Sequence, residues 1–151
     1  MIRRFGEAVR HDIRYARRPG AYALLPLGTR LLVTLQDEPQ PEIQLPGGGI
    51  DPGESPVTAL HREVMEETGW RIAAPRHFGT FRRFVYMPEY DLWAEKLCQI
   101  YIARPVRRLG PPTENGHSAH WIPVEAAADL LANPGDRHFA TMLFQQISRD
   151  R

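Results

Sequence analysis

The sequence predicts a compact α/β or α+β sandwich, and three observations support this fold class. Short apolar runs separated by turn residues indicate strands, beginning with residues 21–27 and 30–35. Residues 56–68 have strong helix signals at both ends. Predicted strands and helices do not alternate regularly, which is typical of a mixed sheet packed against helices.

Five regions of the chain are predicted to form strands. Gly28-Thr29 separates the first two apolar runs, AYALLPL and RLLVTL, which predicts a hairpin. An aromatic connection, MPEYDLW, separates two later strands, and Trp121-Ile122 gives a short strand before a proline. The two strands on either side of this connection are expected at residues 76–86 and 97–103.

Three helices are predicted, and the first has the clearest signals. Ser55 is a preferred N-cap, a proline follows at the first helical position, and Gly69 comes just past the end. Its apolar residues recur at +3 and +7, which predicts a core-facing stripe. These stripe residues are Val57, Leu60 and Val64. The two closing helices are expected at 124–131 and 136–147, the second capped by Asp136.

Length and composition indicate one ordinary globular domain covering residues 1–151. The chain is 42% hydrophobic and 25% charged, close to the soluble average. No apolar run approaches the roughly 20 residues of a membrane span, so no membrane association is expected. The single cysteine, Cys98, cannot form an internal disulfide and suits a reducing compartment. We therefore expect a cytoplasmic protein.

Charge is unevenly distributed although the net charge is only +1. A balance this close to zero gives no strong indication of nucleic-acid binding. Residues 1–20 nevertheless form a basic N-terminal segment, in which arginines greatly outnumber acids. Arginine is favoured where phosphate is held by two hydrogen bonds. The segment is therefore either a solvated basic surface or a phosphate-binding element.

Three glutamates are grouped on the first predicted helix, near its C-terminal end. Glu63, Glu66 and Glu67 lie at i, i+3 and i+4, where like charges repel across one turn. The negative end of the helix dipole opposes them as well. Oxygen ligands of this kind select magnesium, manganese or calcium, and a bound cation would relieve both conflicts. The alternative is a solvated acidic face.

A glycine run before this helix completes a long spaced pattern. Reading from Gly48, the sequence is Gly-x5-Glu-x7-Arg-Glu-Val-x-Glu-Glu-x-Gly-Trp. This pattern resembles the signature of the Nudix hydrolases, with every fixed residue at the family's spacing. Trp70 stands where the family usually has an aliphatic residue, a departure that concerns packing.

The resemblance implies an α/β/α sandwich with a mixed central sheet and a catalytic loop and helix at residues 47–69. It implies that Glu63, Glu66 and Glu67 hold Mg²⁺ or Mn²⁺, with the carbonyl of Gly47 as a further ligand. One of these glutamates would act as the base toward water. The positions with structural roles, including a Glu54–Arg62 ion pair that fastens loop to helix, would be Gly48, Glu54, Arg62 and Gly69.

Many Nudix relatives have a further acid in a loop before a late tryptophan. Here Trp121 follows TENGHSAH, in which Glu114 is the available carboxylate. Glu114 is therefore a candidate base or metal ligand. His117 and His120 are alternatives, although a histidine in such a loop is expected to face solvent.

The sequence offers five candidates for substrate contacts. Arg82 and Arg83 are adjacent on a predicted strand, so one should face the core layer and the other should face outward. One of them could clamp a phosphate, or form a surface ion pair. Tyr86, Tyr90 and Trp93 could stack on a nucleobase, although packing is the commoner role of such aromatics.

The leading hypothesis is a magnesium-dependent pyrophosphohydrolase, an enzyme that cuts a nucleoside diphosphate linked to another group. Nucleoside triphosphates, ADP-ribose or sugar nucleotides, and dinucleoside polyphosphates are candidate small-molecule substrates. One alternative is a catalytically silent nucleotide-binding module, which would be expected to have lost helix glutamates. Another is an isoprenoid diphosphate isomerase, which would need a reactive cysteine that Cys98, inside a predicted strand, is poorly placed to supply. By analogy with relatives, the chain could form a homodimer.

Overall fold

The computed structural model describes residues 1–150, which form nine strands in two sheets and three α-helices. The strands are β1 (Arg3–Arg4), β2 (Ala16–Leu24), β3 (Pro26–Leu27), β4 (Arg30–Gln36), β5 (Glu42–Gln44), β6 (Gly47–Gly49), β7 (Trp70–Met87), β8 (Leu92–Arg108) and β9 (His117–Pro123). The helices are α1 (Pro56–Thr68), α2 (Ala127–Leu130) and α3 (Pro134–Arg149). Short 3-10 turns cover Pro88–Tyr90 and Val124–Ala126.

The larger sheet is mixed, with the order β1-β7-β8-β2-β6. Strands β7 and β8 form a long antiparallel hairpin, while β2 runs parallel to β8 and antiparallel to β6. The smaller sheet is antiparallel, with β4 pairing to β3, β5 and β9. This arrangement confirms the predicted mixed α/β sandwich.

Two apolar cores lie on the two faces of the larger sheet. On one face, α1 packs Leu60 and Val64 against Ala21 and Ala23 of β2. On the other face, α3 packs residues that include Phe139 against strand residues of the other core. The core residues contributed by the strands on the α3 face include Leu24, Phe81, Cys98, Ile100 and Ile102. The larger sheet is therefore covered by a helix on each side.

The predicted ends of α1 are confirmed. The Ser55 hydroxyl accepts a hydrogen bond from the Thr58 N–H at 3.1 Å, as an N-cap does. Gly69 takes the left-handed conformation with φ 75°, which favours glycine, and donates its N–H to the Met65 carbonyl. The predicted core stripe is wrong at Val57, which is 37% exposed because it lies in the first turn, beyond the edge of the core.

The prediction of Asp136 as a helix cap is also wrong. The third helix begins one turn earlier, with Asn133 as N-cap accepting from the Gly135 N–H at 2.8 Å and Pro134 at the first helical position. Asp136 lies inside the first turn and is 5% exposed. Asn133 followed by Pro134, three residues upstream of Asp136, is the signal that begins this helix.

Several strands are longer than the sequence indicated. The hairpin of β7 and β8 extends well past residues 76–86 and 97–103, and β9 starts at His117 rather than Trp121. The apolar run 21–27 is divided between the two sheets, since β2 ends at Leu24 and β3 begins at Pro26. Periodicity identified these strands but did not locate their ends.

Two parts of the basic N-terminal segment, β1 and the start of β2, belong to the larger sheet. Strand β1 pairs in parallel with β7 of the same chain, and β2 begins at Ala16. Among residues 1–150, no helix has the length and apolarity that crossing a bilayer requires. The expected homodimer and cytoplasmic location stay predictions.

We expect Gly79→Ala to destabilise the fold. A methyl group at Gly79 on β7 would overlap the Phe139 ring of α3, so the tightly packed α3 face would have to shift. Overpacking of this kind costs about 1–3 kcal/mol of unfolding free energy, measurable by urea denaturation. Gly110→Ala is the matched control, because an added methyl there meets no atom within 4 Å. Equal stability of the two variants would contradict the packing described for α3.

Candidate active site

Strand β6 lies directly against the glutamate-bearing face of α1. A methyl group at Gly48 would come within 2.6 Å of the Glu63 carboxyl group, so only glycine lets this backbone and carboxylate approach so closely. Gly48 itself is held by antiparallel pairing with Ala21 of β2. The glycine run therefore forms the edge of the sheet beside which Glu63 stands.

Arg62 ties the loop before α1 to the helix. Its Nε and Nη2 donate to the two carboxylate oxygens of Glu54 at 2.8 and 2.9 Å, and Nη2 also donates to the Gly49 carbonyl at 3.1 Å. Its Nη1 lies 2.9 Å from Glu63 Oε1 and 3.5 Å from Glu66 Oε2. The hydrogen bonds from Arg62 lower the pKa of Glu54 to about 2. One guanidinium group thus holds both the loop and two glutamates of the helix.

Glu67 is the most buried of the three helix glutamates, with 7% of the residue exposed. Its Oε1 accepts a hydrogen bond from the Gly47 N–H at 3.1 Å, and its Oε2 lies 3.8 Å from His117 Nδ1. Burial raises the pKa of Glu67 to about 8, against the lowering effect of the Gly47 N–H. The negative charges of Glu63, Glu114 and Glu66 raise this pKa further. Glu67 is therefore held near carboxylates with little positive charge beside it.

The three carboxylates have the donor chemistry of a hard-cation site. Burial raises the pKa of Glu63 as well, so this charge is also incompletely balanced by Arg62. In the described part of the chain, no three His, Cys, Asp or Glu side chains are close enough to hold one ion as they stand. Arg62 lies between Glu63 and Glu66, while Glu67 points to the Gly47 N–H. Carboxylate oxygens are nevertheless the type of ligand that Mg²⁺ and Mn²⁺ prefer.

The loop that contains Glu114 is fixed to the end of α1. The N–H groups of Thr113 and Glu114 both donate to the Glu66 carbonyl, at 2.8 and 2.9 Å. The Glu114 side chain is exposed, yet its charge raises the pKa of both Glu63 and Glu67. Glu114 therefore lies beside the glutamates but outside the wall of the cavity described below.

The two candidate histidines differ in position. The expectation that both face solvent is wrong for His117, whose side chain is 11% exposed at the start of β9. Its Nδ1 lies 3.0 Å from the hydroxyl of buried Thr34, in addition to the Glu67 contact, and burial lowers its pKa. His120 is exposed, and its Nε2 lies 2.8 Å from the Ser118 hydroxyl. Between the two, His117 is the one that lines the site.

A cavity of about 730 Å³ connects the glutamates with the α3 face of the larger sheet. At one end it is lined by the glycine run, Glu63, Glu67 and His117. At the other end lie three basic side chains and a buried carboxyl group, belonging to Arg18, Arg83, Lys96 and Asp136. Volumes of a few hundred to a thousand Å³ are typical of small-molecule sites.

Only two of the five predicted substrate residues line the cavity. Arg82 and Arg83 point to opposite faces, as expected for strand neighbours, and Arg83 lines the cavity together with Tyr90. Arg82 lies elsewhere, with its guanidinium 5.9 Å from the Phe84 ring centroid. Tyr86 and Trp93 also lie outside the cavity and contact each other, with ring centroids 5.3 Å apart.

Several cavity residues were not identified from the sequence. Lys96 and Tyr22 carry no functional prediction, Arg18 is covered only by the prediction for the basic N-terminal segment, and Asp136 is predicted as a helix cap. A signal for Asp136 existed, because the better cap at Asn133 frees it for another role. No local pattern marks the others, since their proximity depends on strand pairing between distant segments.

The NUDIX domain model matches residues 16–143, which include the glycine run, α1 and nearly all of both sheets. This chain belongs to the Nudix family. The resemblance seen in the sequence is therefore confirmed. The Nudix fold is supported independently by a NUDIX hydrolase from Nitrosomonas europaea, with a TM-score of 0.71 and 18% identity over 87% of this chain and 90% of that one.

Curated relatives of this Nudix chain include two named hydrolytic enzymes. A CMP-5'-(N-acetyl-N-hydroxy-3-aminopropyl)phosphonate hydrolase of Streptomyces rubellomurinus is 30% identical over 142 residues, covering 83% of this chain and 61% of that protein. An 8-oxo-(d)GTP phosphatase of Mycolicibacterium smegmatis is 30% identical over 93 residues, covering 62% of this chain and 27% of that protein. The chain thus spans less than two thirds of the length of each of these two relatives.

We expect Glu54→Gln to make the unfolding free energy less sensitive to pH under acid conditions. The folded-state pKa of Glu54 is lowered from 4.5 to about 2, so its carboxylate stabilises the fold above pH 4.5. This contribution is lost as the pH falls from 4.5 toward 2. Urea denaturation across that window should show a smaller loss of unfolding free energy in Glu54→Gln than in the wild type. Glu125→Gln, at an exposed glutamate, should follow the wild-type slope. Identical slopes for all three proteins would contradict the Arg62–Glu54 pairing.

Proposed function

We propose that this Nudix chain is a divalent-metal-dependent pyrophosphohydrolase that cuts the phosphoanhydride of a nucleoside diphosphate linked to another group. The observation that carries the proposal is the convergence of Glu63 and Glu67 on the glycine run, at one end of a cavity of nucleotide size. An anhydride seated there would place the rest of the molecule along the cavity, toward the α3 face.

In this proposal the metal is Mg²⁺ or Mn²⁺, held by Glu63, Glu66 and Glu67 with the Gly47 carbonyl as a further ligand. When bound, such an ion neutralises charge on the bridging phosphate oxygens and lowers the pKa of a bound water. The fit rests on the donor set and on the raised pKa values of Glu63 and Glu67, because a bound cation would favour the charged form of both groups.

Positioning is the main contribution of the other residues. The Gly47 N–H orients Glu67, so that one oxygen is hydrogen-bonded and the other is left toward the cavity side. A carboxylate held in this way can accept the proton of an attacking water. Arg62 keeps Glu63 and Glu66 on the same side of the helix and fixes the loop through Glu54. His117 and Glu114 are candidates to assist proton removal, because each lies close to Glu67.

The substrate class is a nucleotide. The names of the two curated relatives refer to a cytidine nucleotide joined to a phosphonate and to an oxidised guanosine nucleotide, which supports a nucleoside diphosphate derivative here. Tyr22 and Tyr90 on the cavity wall offer aromatic surface for the nucleoside. Nucleoside triphosphates, sugar nucleotides and dinucleoside polyphosphates all contain the required linkage.

The alternative activities are less well supported by the site. A silent binding module would not need three intact helix glutamates, two of which contact the glycine run. An isoprenoid diphosphate isomerase would need a reactive thiol, but burial raises the pKa of Cys98 to about 12. Cys98 also lies on the α3 face of β8, away from α1.

We expect Glu67→Gln to lower kcat/KM by at least about 10²-fold on the best nucleotide of a broad substrate panel. Glutamine retains an oxygen that can accept the Gly47 hydrogen bond, so the loss would report the missing charge. His61→Gln on the exposed side of α1 is the matched control and should keep wild-type turnover. Release of nucleoside monophosphate is the measurement. Unchanged turnover in Glu67→Gln would overturn the assigned role.

We also expect turnover to require a divalent cation. Dialysis against EDTA should abolish hydrolysis, and added Mg²⁺ or Mn²⁺ should restore it, because oxygen-rich sites prefer these ions. Circular dichroism before and after dialysis checks that the fold survives metal removal. Full activity in the presence of excess EDTA would exclude the proposed metal dependence.

A further inference from the structure

Three basic side chains form a row across three neighbouring strands of the larger sheet. The pairing register places Arg18 of β2 opposite Lys96 of β8, and Lys96 opposite Arg83 of β7. Residues directly opposite in neighbouring strands share one face, with Cβ atoms about 4.5–5.5 Å apart. We call Arg18, Lys96 and Arg83 the basic row. All three line the cavity.

The basic row is electrostatically unfavourable on its own. Like charges directly opposite in a sheet destabilise it. Burial lowers the pKa of Lys96, and the neighbouring charge of Arg83 lowers it further. Within residues 1–150, none of the three has a carboxylate oxygen within 4.0 Å, because the ion pairs involve other residues. Arg18 instead lies over the Tyr90 ring, 4.5 Å from its centroid.

Asp136 of α3 faces the basic row but does not balance it. One buried carboxyl group carries at most one negative charge against three positive ones. Burial also raises the pKa of Asp136 to about 7, so its charge is only partly present near neutral pH. Glu42 and Glu89 also line the cavity, but neither has an oxygen within 4.0 Å of the basic row, and water screens the charge of the exposed Glu89. A net positive field therefore remains at this end of the cavity.

The basic row is well separated from the helix glutamates. Gly48, which contacts Glu63, pairs with Ala21, and Arg18 lies three residues earlier on β2, about 10 Å along the strand. The row also lies on the face covered by α3, in line with Cys98 and Phe81, whereas α1 covers the other face. The row is therefore better placed to meet the remainder of a nucleotide than a diphosphate bound near the glutamates.

We propose that the basic row binds a second anionic group of the substrate, carried beyond the diphosphate that meets the glutamates. This inference rests on the proposed function and narrows its substrate class. The group would be a phosphate monoester, a phosphonate or a carboxylate. Two guanidinium groups flanking one ammonium group suit such oxyanions, since arginine offers paired N–H donors and lysine adds a point charge. Nucleotides without this group would bind less tightly.

The test uses Lys96 itself, which is the only lysine in the chain. Full-length protein grown with [ε-¹³C]lysine gives one lysine signal, so its chemical shift reports this position alone. The protein is titrated with inorganic phosphate in EDTA, against sodium chloride at equal ionic strength. We expect a saturable shift with phosphate only. We expect Arg83→Gln to weaken phosphate binding at least tenfold, while Arg104→Gln, at an exposed arginine outside the cavity, leaves it unchanged.

Two results would overturn the proposal at this stage. One is an equal response to phosphate and chloride, and the other is wild-type phosphate affinity in Arg83→Gln. Arg18→Gln provides a second variant if Arg83→Gln does not fold, as judged by its thermal unfolding. Because this measurement needs no turnover, it tests anion binding by the basic row even if no nucleotide is hydrolysed. In that case only the proposed hydrolytic function fails.

A final experiment tests whether the basic row binds a group of the substrate or free phosphate. The nucleotide with the highest kcat/KM in the substrate panel is added, without metal, to phosphate-saturated protein. We expect it to displace phosphate and to move the lysine signal to a new position. In hydrolysis assays, phosphate should then raise KM and leave kcat unchanged. Simultaneous binding of phosphate and nucleotide would show a separate phosphate site and would overturn the assignment to a substrate group.

Discussion

The arrangement of the candidate active site depends on one side chain, Arg62. Its guanidinium group joins Glu54 in the loop, the Gly49 carbonyl at the sheet edge, and Glu63 and Glu66 on the helix. Without that cation, carboxylates one turn apart would repel one another and the loop would lose its attachment to α1. Glu67, the most buried of the three glutamates, does not take part in these contacts. Its carboxylate is held instead by the hydrogen bond from the Gly47 N–H. Loop, sheet edge and helix are thus held in one geometry.

The larger sheet separates two tasks that the proposed nucleotide hydrolase would have to combine. On the face beneath α1, the glycine run brings backbone and carboxylates together for reaction chemistry. On the face beneath α3, Tyr22 and the basic row provide surface and positive charge for the rest of a ligand. The cavity passes around the edge strand β6 and joins the two. If the proposed function is correct, changes on the α3 face would alter which substrate binds without rebuilding α1.

The sequence predicted local features well and long-range neighbours poorly. The ends of α1 and the spacing of its glutamates depend on residues within one segment, so capping and helical periodicity were sufficient. Arg18, Lys96 and Arg83 become neighbours only through the register of three strands, which no local pattern specifies. Asp136 was misassigned because aspartate is a common cap, and Asn133 supplied the cap instead. Predicting that such distant residues are neighbours requires knowledge of the sheet topology.

The parallel pairing of β2 with β8 has a consequence for how the chain reaches its native state. Residues 16–24 pair with residues 94–102, so the central contact of the larger sheet closes a very long loop. Closing such loops costs entropy before any contact compensates for it, and proteins dominated by distant pairings fold slowly. The hairpin of β7 and β8 can form early from adjacent segments, whereas β2 and the glycine edge it carries must dock afterwards. We therefore expect the glycine run and its contacts with α1 to be among the last parts of the molecule to assemble.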